Sequence, residues 1–284
     1  MKEARPSITA QRVAIRRAAH QVLDRPKIFN DPLAMVIIGP EAAAQLKSEV
    51  QKHQTRTGRA LRAFMAVRSR FAEDELALAI ERGAKQYVIL GAGLDTFAYR
   101  NPYSAQALWV FEVDHPATQA WKHRKLAAAA IEVPQTVTYA PVDFEQQTLA
   151  DGLQRVGFEF TQRTFFSWLG VTPYLTDEAF TATVRLIASM PAGSGVVFDY
   201  AIPRSSLSWL RRLAFHTLAR RVASVGEPFQ LFFDPPSLAA RLHGLGFHSI
   251  TDLGPDEINA RYFDNRADTL RLTGGTAHLL CAQV

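Results

Sequence analysis

The sequence predicts an α/β protein built on a mostly parallel sheet with right-handed crossovers. Three observations support that fold class. From residue 85 onward, short apolar runs alternate with amphipathic stretches of helical period. The first of these runs ends directly in the glycines of Gly91-Ala92-Gly93. The next two end in acidic residues, Asp114 and Asp143, as strands ending at the ligand-binding edge of an open sheet do.

Residues 1–84 read as helices and form an extension placed to act as a lid over a sheet domain spanning 85–284. Ser7 or Thr9 can cap a helix over 10–23, with Val13, Ala14, Ala18 and Val22 on one side. Asn30-Asp31-Pro32 is a turn signal, followed by a short apolar helix over 33–38. Residues 40–52 are helical, and a longer helix covers 56–82. Its expected core stripe is Leu61, Phe64, Met65, Phe71, Leu78 and Ala79, and Gly83 ends it.

Strands are expected at 86–90, 108–113, 137–142, 164–169, 195–200, 248–253 and 278–284. Between them, Pro116 opens a helix running to Ala130, and a second covers 149–156 before Gly157. Thr176 caps a third through Met190, with Asp177 and Glu178 in its first turn. A basic amphipathic helix over 205–222 and another over 236–245 complete the pattern.

Composition narrows the function classes. The chain has 284 residues, enough for one large α/β domain with a modest cap. No apolar run is long enough for a membrane helix, and the polar start Met1-Lys2-Glu3-Ala4-Arg5-Pro6 is unlike a secretory signal. Cys281 is the only cysteine, which excludes an internal disulfide and a cysteine zinc site; no metal is expected, and a reducing cytoplasm is the simplest location. Net charge is +5, but residues 1–70 hold 14 Lys/Arg against 5 Asp/Glu. Such a basic third suits an anionic partner, or is simply a solvated arginine-rich helix face.

Glycines directly after a strand let a ligand approach the backbone, with amide groups free to donate. Alone, Gly91-Ala92-Gly93 is a weak signal. Thr96 stands where a dinucleotide fingerprint has Gly or Ala, and a structural turn is the competing explanation. Asp114 lies 21 positions beyond Gly93, where a carboxylate can accept from both ribose hydroxyls. Asp143 with Phe144 can take an adenine, the acid accepting from the amino group and the ring packing on the base. Both acids can instead cap helices.

The stretch Val88-Ile89-Leu90-Gly91-Ala92-Gly93-Leu94-Asp95-Thr96, followed by Tyr99-Arg100 and Phe111-Glu112-Val113-Asp114-His115-Pro116, resembles the leucine carboxyl methyltransferase-like family of class I methyltransferases. Phe29-Asn30-Asp31-Pro32, Val67-Arg68-Ser69-Arg70-Phe71, Asp143-Phe144 and Gly170-Val171-Thr172-Pro173-Tyr174-Leu175-Thr176 extend the resemblance over residues 7–200. It implies a Rossmann-like seven-stranded sheet whose last strand is antiparallel, and S-adenosyl-L-methionine as cofactor. It further implies that Arg68 takes the methionyl carboxylate. Gly91, Ala92 and Gly93 would underlie the methionyl part, Asp114 with Glu112 behind it would hold the ribose, and Asp143 and Phe144 the adenine. Trp168 falls in the same cofactor-binding set. Relatives often carry a glutamate where this chain has Leu169.

The reading favoured is O-methylation of a small-molecule carboxylate or hydroxyl. A hydroxyl acceptor benefits from a base, and His20, Tyr174 and Tyr200 are the candidates; His115 is a further one. Two alternatives stay open. An NAD-dependent oxidoreductase explains the glycines and Asp114 but not Arg68 or Asp143, and no Tyr-x-x-x-Lys pair stands in the right region. A nucleic-acid-binding or non-catalytic S-adenosyl-L-methionine-binding protein would use the basic amino-terminal third, but no Asn-Pro-Pro-Tyr-type motif is present.

Overall fold

A computed structural model describes residues 8–144, 146–203, 229–273 and 277–284. The basic helix expected over 205–222 and the capping role of Ser7 lie outside the described residues. Five helices come first: α1 (Ile8–Leu23), α2 (Ala34–Ile37), α3 (Pro40–Ser48), α4 (Val50–His53) and α5 (Arg56–Glu81). The sheet follows as β1 (Gln86–Leu90), β2 (Trp109–Asp114), β3 (Val137–Pro141), β4 (Thr164–Trp168), β5 (Gly195–Ala201), β6 (Ser249–Leu253) and β7 (Ala277–Gln283). Between strands run α6 (Pro116–Ala128), α7 (Leu149–Arg155), α8 (Asp177–Ala188), α9 (Pro235–Gly244) and α10 (Pro255–Tyr262).

The strands lie in the order β3-β2-β1-β4-β5-β7-β6. The first five pair in parallel, and β7 runs antiparallel to both β5 and β6. The order reverses between β1 and β4, so both strands open their carboxyl ends onto one crevice, the usual ligand position in such sheets. β1, β4 and β5 are buried along their whole length because helices cover both faces. On one face α7, α8 and α9 pack through Leu153, Phe180, Val184 and Leu242. On the other, α5 and α10 pack through Val67, Phe71, Leu76 and Ile258. A third cluster joins α1, α2 and α6 through Ala14, Ala18, Ile37 and Leu126, and it includes Leu94 of the glycine loop.

The caps follow local chemistry. Thr176 accepts from the Ala179 amide, His115 accepts from Ala117 with Pro116 in the first turn, and Thr148 forms a capping box with Asp151. Gly83 ends α5 at φ +96°, a left-handed conformation that glycine adopts without steric penalty. Two expected stripes are rotated. Leu78 is exposed and Phe64 and Met65 are half-buried, while α5 turns Arg62, Ala63, Val67, Arg68 and Glu75 inward. Likewise Val22 is exposed, and α1 buries Arg17, His20 and Gln21 beside its alanines. In both helices buried ion pairs and hydrogen bonds, not apolar area alone, choose the inward face.

One such pair clamps α1 to α5. Arg62, 1% exposed, grips Asp24 with Nε at 2.7 Å and Nη2 at 2.8 Å, and its Nη1 donates to the His53 carbonyl. Nδ1 of His20 hydrogen-bonds the same carboxylate at 2.8 Å. Burial works to raise the Asp24 carboxyl, but the Arg62 and His20 hydrogen bonds outweigh it and hold it at about 2.

Two tests follow from this packing. A Cβ on Gly152 would stand 2.3 Å from Val142 Cγ2, whereas one on Gly244 meets nothing within 4 Å. Alanine in a helix is favoured over glycine by about 0.5–1 kcal/mol, and overpacking a core costs about 1–3 kcal/mol. Gly152→Ala is therefore expected to lower the melting temperature, and Gly244→Ala to hold or raise it. For Asp24, the depressed carboxyl contributes stability that is complete above its unfolded value of about 3.9. That contribution is lost as pH falls through about 2. Denaturant unfolding from pH 6 to 2 should show the stability gap between wild type and Asp24→Asn closing in that window.

Candidate active site at the carboxyl edge of the sheet

The glycine loop leaves β1 with Gly91 at φ +69° and Gly93 at φ +47°. Its shape is fixed from two sides. A Cβ on Gly91 would lie 2.4 Å from Val171 Cγ2, in the turn after β4, and one on Gly93 would lie 3.0 Å from Ala10 of α1. The expectation of free amides is corrected. The Gly91 and Ala92 amides both donate to the Val113 carbonyl, at 2.8 and 3.1 Å, and Gly93 donates to Asp114 Oδ2 at 2.6 Å. What the loop offers a ligand is therefore its shape and the carboxylate it positions.

That carboxylate, at the end of β2, also accepts from the His115 amide at 2.7 Å. Burial raises the Asp114 carboxyl, against the stabilising hydrogen bonds from Gly93 and His115. Asp143 sits half-buried after β3, accepting from Gln146 Nε2 at 2.8 Å, with His115 Nε2 3.9 Å away. Phe144 beside it is 56% exposed, so its ring face is open. The ends of β1, β2 and β3 thus bring Gly93, Asp114 and Asp143-Phe144 to one edge in the expected sequence.

Arg68 arrives from α5. Its Nη1 donates to Asp199 Oδ2 at 3.3 Å, the only hydrogen bond its guanidinium makes among the described residues. Oδ1 of Asp199 accepts from the Gly170 amide at 2.5 Å. Gly170 has φ +71°, and a Cβ there would lie 2.6 Å from Arg68 Nη1. Glycine at that position gives the guanidinium its place. Leu169, where a glutamate was the comparison, packs half-buried against the apolar core, and the nearby carboxylate comes instead from Asp199 at the end of β5.

Four expected site residues are placed elsewhere. His20 is 0% exposed; besides Asp24, its Nε2 accepts from the Ile28 and Phe29 amides at 3.1 and 3.2 Å, so both ring nitrogens are engaged. Tyr200 donates its hydroxyl to Asp252 at 2.5 Å, and burial followed by that carboxylate pushes its ionisation far upward. Trp168 lies in the core, its ring stacked 5.6 Å from Phe180. Glu112 is 0% exposed and faces Lys122 Nζ at 2.7 Å and the Tyr99 hydroxyl at 3.1 Å. Burial raises its carboxyl, opposed by Lys122. Tyr174 remains at the edge, half-buried after β4, with its ring 5.3 Å from Phe229.

Sequence reasoning missed a buried network behind the loop. Asp31 accepts from Arg17 at 2.5 Å and from the Thr96 hydroxyl at 2.8 Å, with Arg100 Nε 3.5 Å away. Arg17 reaches Asp95 at 3.4 Å and Thr96 at 2.9 Å, and Arg100 pairs with Glu73 of α5. Burial opposes the Asp31 charge, but Arg17 and Arg100 outweigh it and lower its carboxyl. The legible signal was an arginine on the alanine face of α1, between Ala14 and Ala18.

With this geometry in place, the likenesses to other proteins can be set beside it. The sequence profile of the family described as leucine carboxyl methyltransferase matches residues 10–188. YktD of Bacillus subtilis strain 168, whose name assigns it to the S-adenosyl-L-methionine-dependent methyltransferases, is 34% identical over 291 residues, covering 95% of each chain. A protein of Mycobacterium sp. strain KMS, with the same assignment in its name, is 28% identical over 256 residues, 88% of this chain and 94% of its own. Among solved structures, one from Thermobifida fusca YX shares the fold with a TM-score of 0.58 at 17% identity, covering 99% of this chain and 96% of that one. A DUF574 family protein of Streptomyces avermitilis does so with a TM-score of 0.55 at 16% identity, covering 87% and 94%. The chain belongs to the leucine carboxyl methyltransferase family.

Proposed function

We propose that this chain transfers a methyl group from S-adenosyl-L-methionine to a carboxylate oxygen of a small molecule. The observation that carries the reading is Arg68, a guanidinium with donors to spare, standing at the same sheet edge as Asp114. A dinucleotide has no amino-acid carboxylate for Arg68 to meet. S-adenosyl-L-methionine has one, and a guanidinium fork suits it.

The residues fit that cofactor, since Gly170 leaves the guanidinium room that any side chain would fill. Arg68 would hold the methionyl carboxylate, Asp114 the ribose hydroxyls, and Asp143 with Phe144 the adenine. Gly91 to Gly93 would form the floor. When bound, S-adenosyl-L-methionine supplies a sulfonium methyl group, which passes to the acceptor oxygen as the carbon–sulfur bond breaks with its electron pair left on sulfur. The chain's own residues then have three tasks: to bind, to align and to exclude water. Asp199 orients Arg68, and Val171 and Ala10 hold the loop shape. The helices ahead of α5 would serve as the lid over this edge, α5 itself belonging to the layer that covers the sheet.

The acceptor follows from what the candidate bases do. His20 and Tyr200 are both tied to carboxylates inside the fold, and His115 caps α6 through its Nδ1. A hydroxyl acceptor needs a base, whereas a carboxylate is already ionised. Tyr174 keeps a second reading in view, as the residue through which a phenol or alcohol would be approached, because it lies at the edge itself.

Calorimetry with S-adenosylhomocysteine tests the cofactor site. Asp114→Ala and Arg68→Gln should each weaken binding about tenfold or more, because each removes a charge-assisted hydrogen bond, with unchanged circular dichroism. Tight NADH binding with none for S-adenosylhomocysteine would overturn the reading. The acceptor class is checked on a panel of small acids and phenols with radiolabelled donor. Methyl esters release the label as methanol in mild alkali, and methyl ethers do not; a product stable to alkali sinks the carboxylate assignment.

A further inference from the structure

A pocket of about 480 Å³ lies between the turn after α1, the middle of α5 and the end of α10. Its cations are Lys27, Arg70, Arg261 and Arg266, and its acids are Asp74 and Asp264. None of the residues assigned above to the donor lines it. Donors and acceptors in this space do not match. Asp74 has both oxygens engaged, Oδ1 by Arg70 Nε at 2.7 Å and Oδ2 by the Tyr262 hydroxyl at 3.0 Å. Asp264 accepts from the amide and the side chain of its neighbour Asn265, at 3.0 and 2.9 Å. The cations, in contrast, keep donors to spare. Among the described residues, both Nη groups of Arg70 lack a hydrogen bond, and Lys27 donates only to Asn30 Oδ1 at 3.3 Å. Arg261 makes none there, with Glu75 3.6 Å away. Arg266 commits Nε and Nη2 to Asp268, at 2.9 and 2.6 Å, and leaves Nη1 without a partner among those residues.

These donors are held in place before any ligand arrives. The Arg266 side chain is 6% exposed, and its Nη2 also donates to the Pro26 carbonyl at 2.6 Å. The Arg261 guanidinium lies over the Phe71 ring at 5.4 Å and the Tyr262 ring at 5.2 Å. Asp74 fixes Arg70. A site fixed in this way loses little freedom on binding. Its acceptors are used up and its charged N–H groups come from three separate stretches of chain, so it suits a ligand rich in acceptor oxygens and negative charge. Pro26, Ile28 and Tyr262 add carbon surface, and the volume is that of a small-molecule site, larger than a bare phosphate needs.

We infer that this pocket is a second ligand site, for a phosphate monoester of a small organic molecule. Lys27, Arg70, Arg261 and Arg266 surround the phosphate, and Tyr262 stands beside the organic part. A tetrahedral dianion offers oxygens to donors on several sides, whereas a carboxylate offers two oxygens in one plane. The site binds without chemistry of its own, and it stands whether or not the methyl-transfer reading does.

The test titrates the full chain in a calorimeter with phenyl phosphate, inorganic phosphate and benzoate. Phenyl phosphate should bind about tenfold or more tightly than benzoate, the difference expected for one further charge-assisted hydrogen bond. It should also bind more tightly than inorganic phosphate. Arg70→Gln and Arg261→Gln alter exposed side chains and leave the fold standing, and each should weaken phenyl phosphate about tenfold. Asp114→Ala should leave that affinity unchanged, because the donor site is elsewhere. Phenyl phosphate that fails to bind at millimolar concentration overturns the inference. So does equal binding of phenyl phosphate and benzoate, or of phenyl phosphate and inorganic phosphate. Wild-type affinity in both arginine variants overturns it too, as does its loss in Asp114→Ala, since the ligand would then occupy the donor site.

Discussion

The buried carboxylate of Asp31 holds the amino-terminal helices to the sheet. It lies at 1% exposure between the Arg17 and Arg100 guanidiniums and the Thr96 hydroxyl. Taking such charges out of water costs several kcal/mol per ion unless each is met in good geometry. Only one placement of α1 meets them, with Arg17 against Asp95 and Thr96 and Ala14 against Leu94. The network thus acts on position more than on net stability. It ties three separate stretches, α1, the turn at Asp31 and the loop after β1, into one arrangement.

The geometry of the candidate site follows from that arrangement. With Arg17 facing the loop, Ala10 comes to rest over Gly93. The Asp24–Arg62 clamp fixes the far end of the same helix onto α5, the helix that carries Arg68. Arg68 is held at the sheet edge because α1 and α5 are locked to each other and Asp199 takes its guanidinium.

Residues suited to chemistry are also suited to holding a fold together, and burial separates the two uses. His20, Tyr200 and Glu112 carry groups that an active site can use, yet each is engaged by partners inside the protein. Trp168 ends β4 at the right level, but its ring points to the α8 side and stacks on Phe180. The alternation of a strand sends neighbours to opposite faces. Asp199, one place before Tyr200, can stand at the edge while Tyr200 is core.

The sequence by itself determined the class of fold, all seven strands to within a residue at each end, the glycine loop, and the acids that end β2 and follow β3. These are local properties: apolar runs, turn glycines and caps act within a few residues of chain. The helix Pro255–Tyr262 gives no clear period in the sequence and is not among the expected elements. Only tertiary structure decided which polar residues face the ligand edge. Arg17 meets Asp95 across 78 positions and Arg68 meets Asp199 across 131, and no local pattern records such pairings. The inward faces of α1 and α5 were misread for the same reason. A buried arginine with its carboxylate supplied from elsewhere looks, in sequence, like a surface arginine, because its partner becomes a neighbour only when the chain has folded.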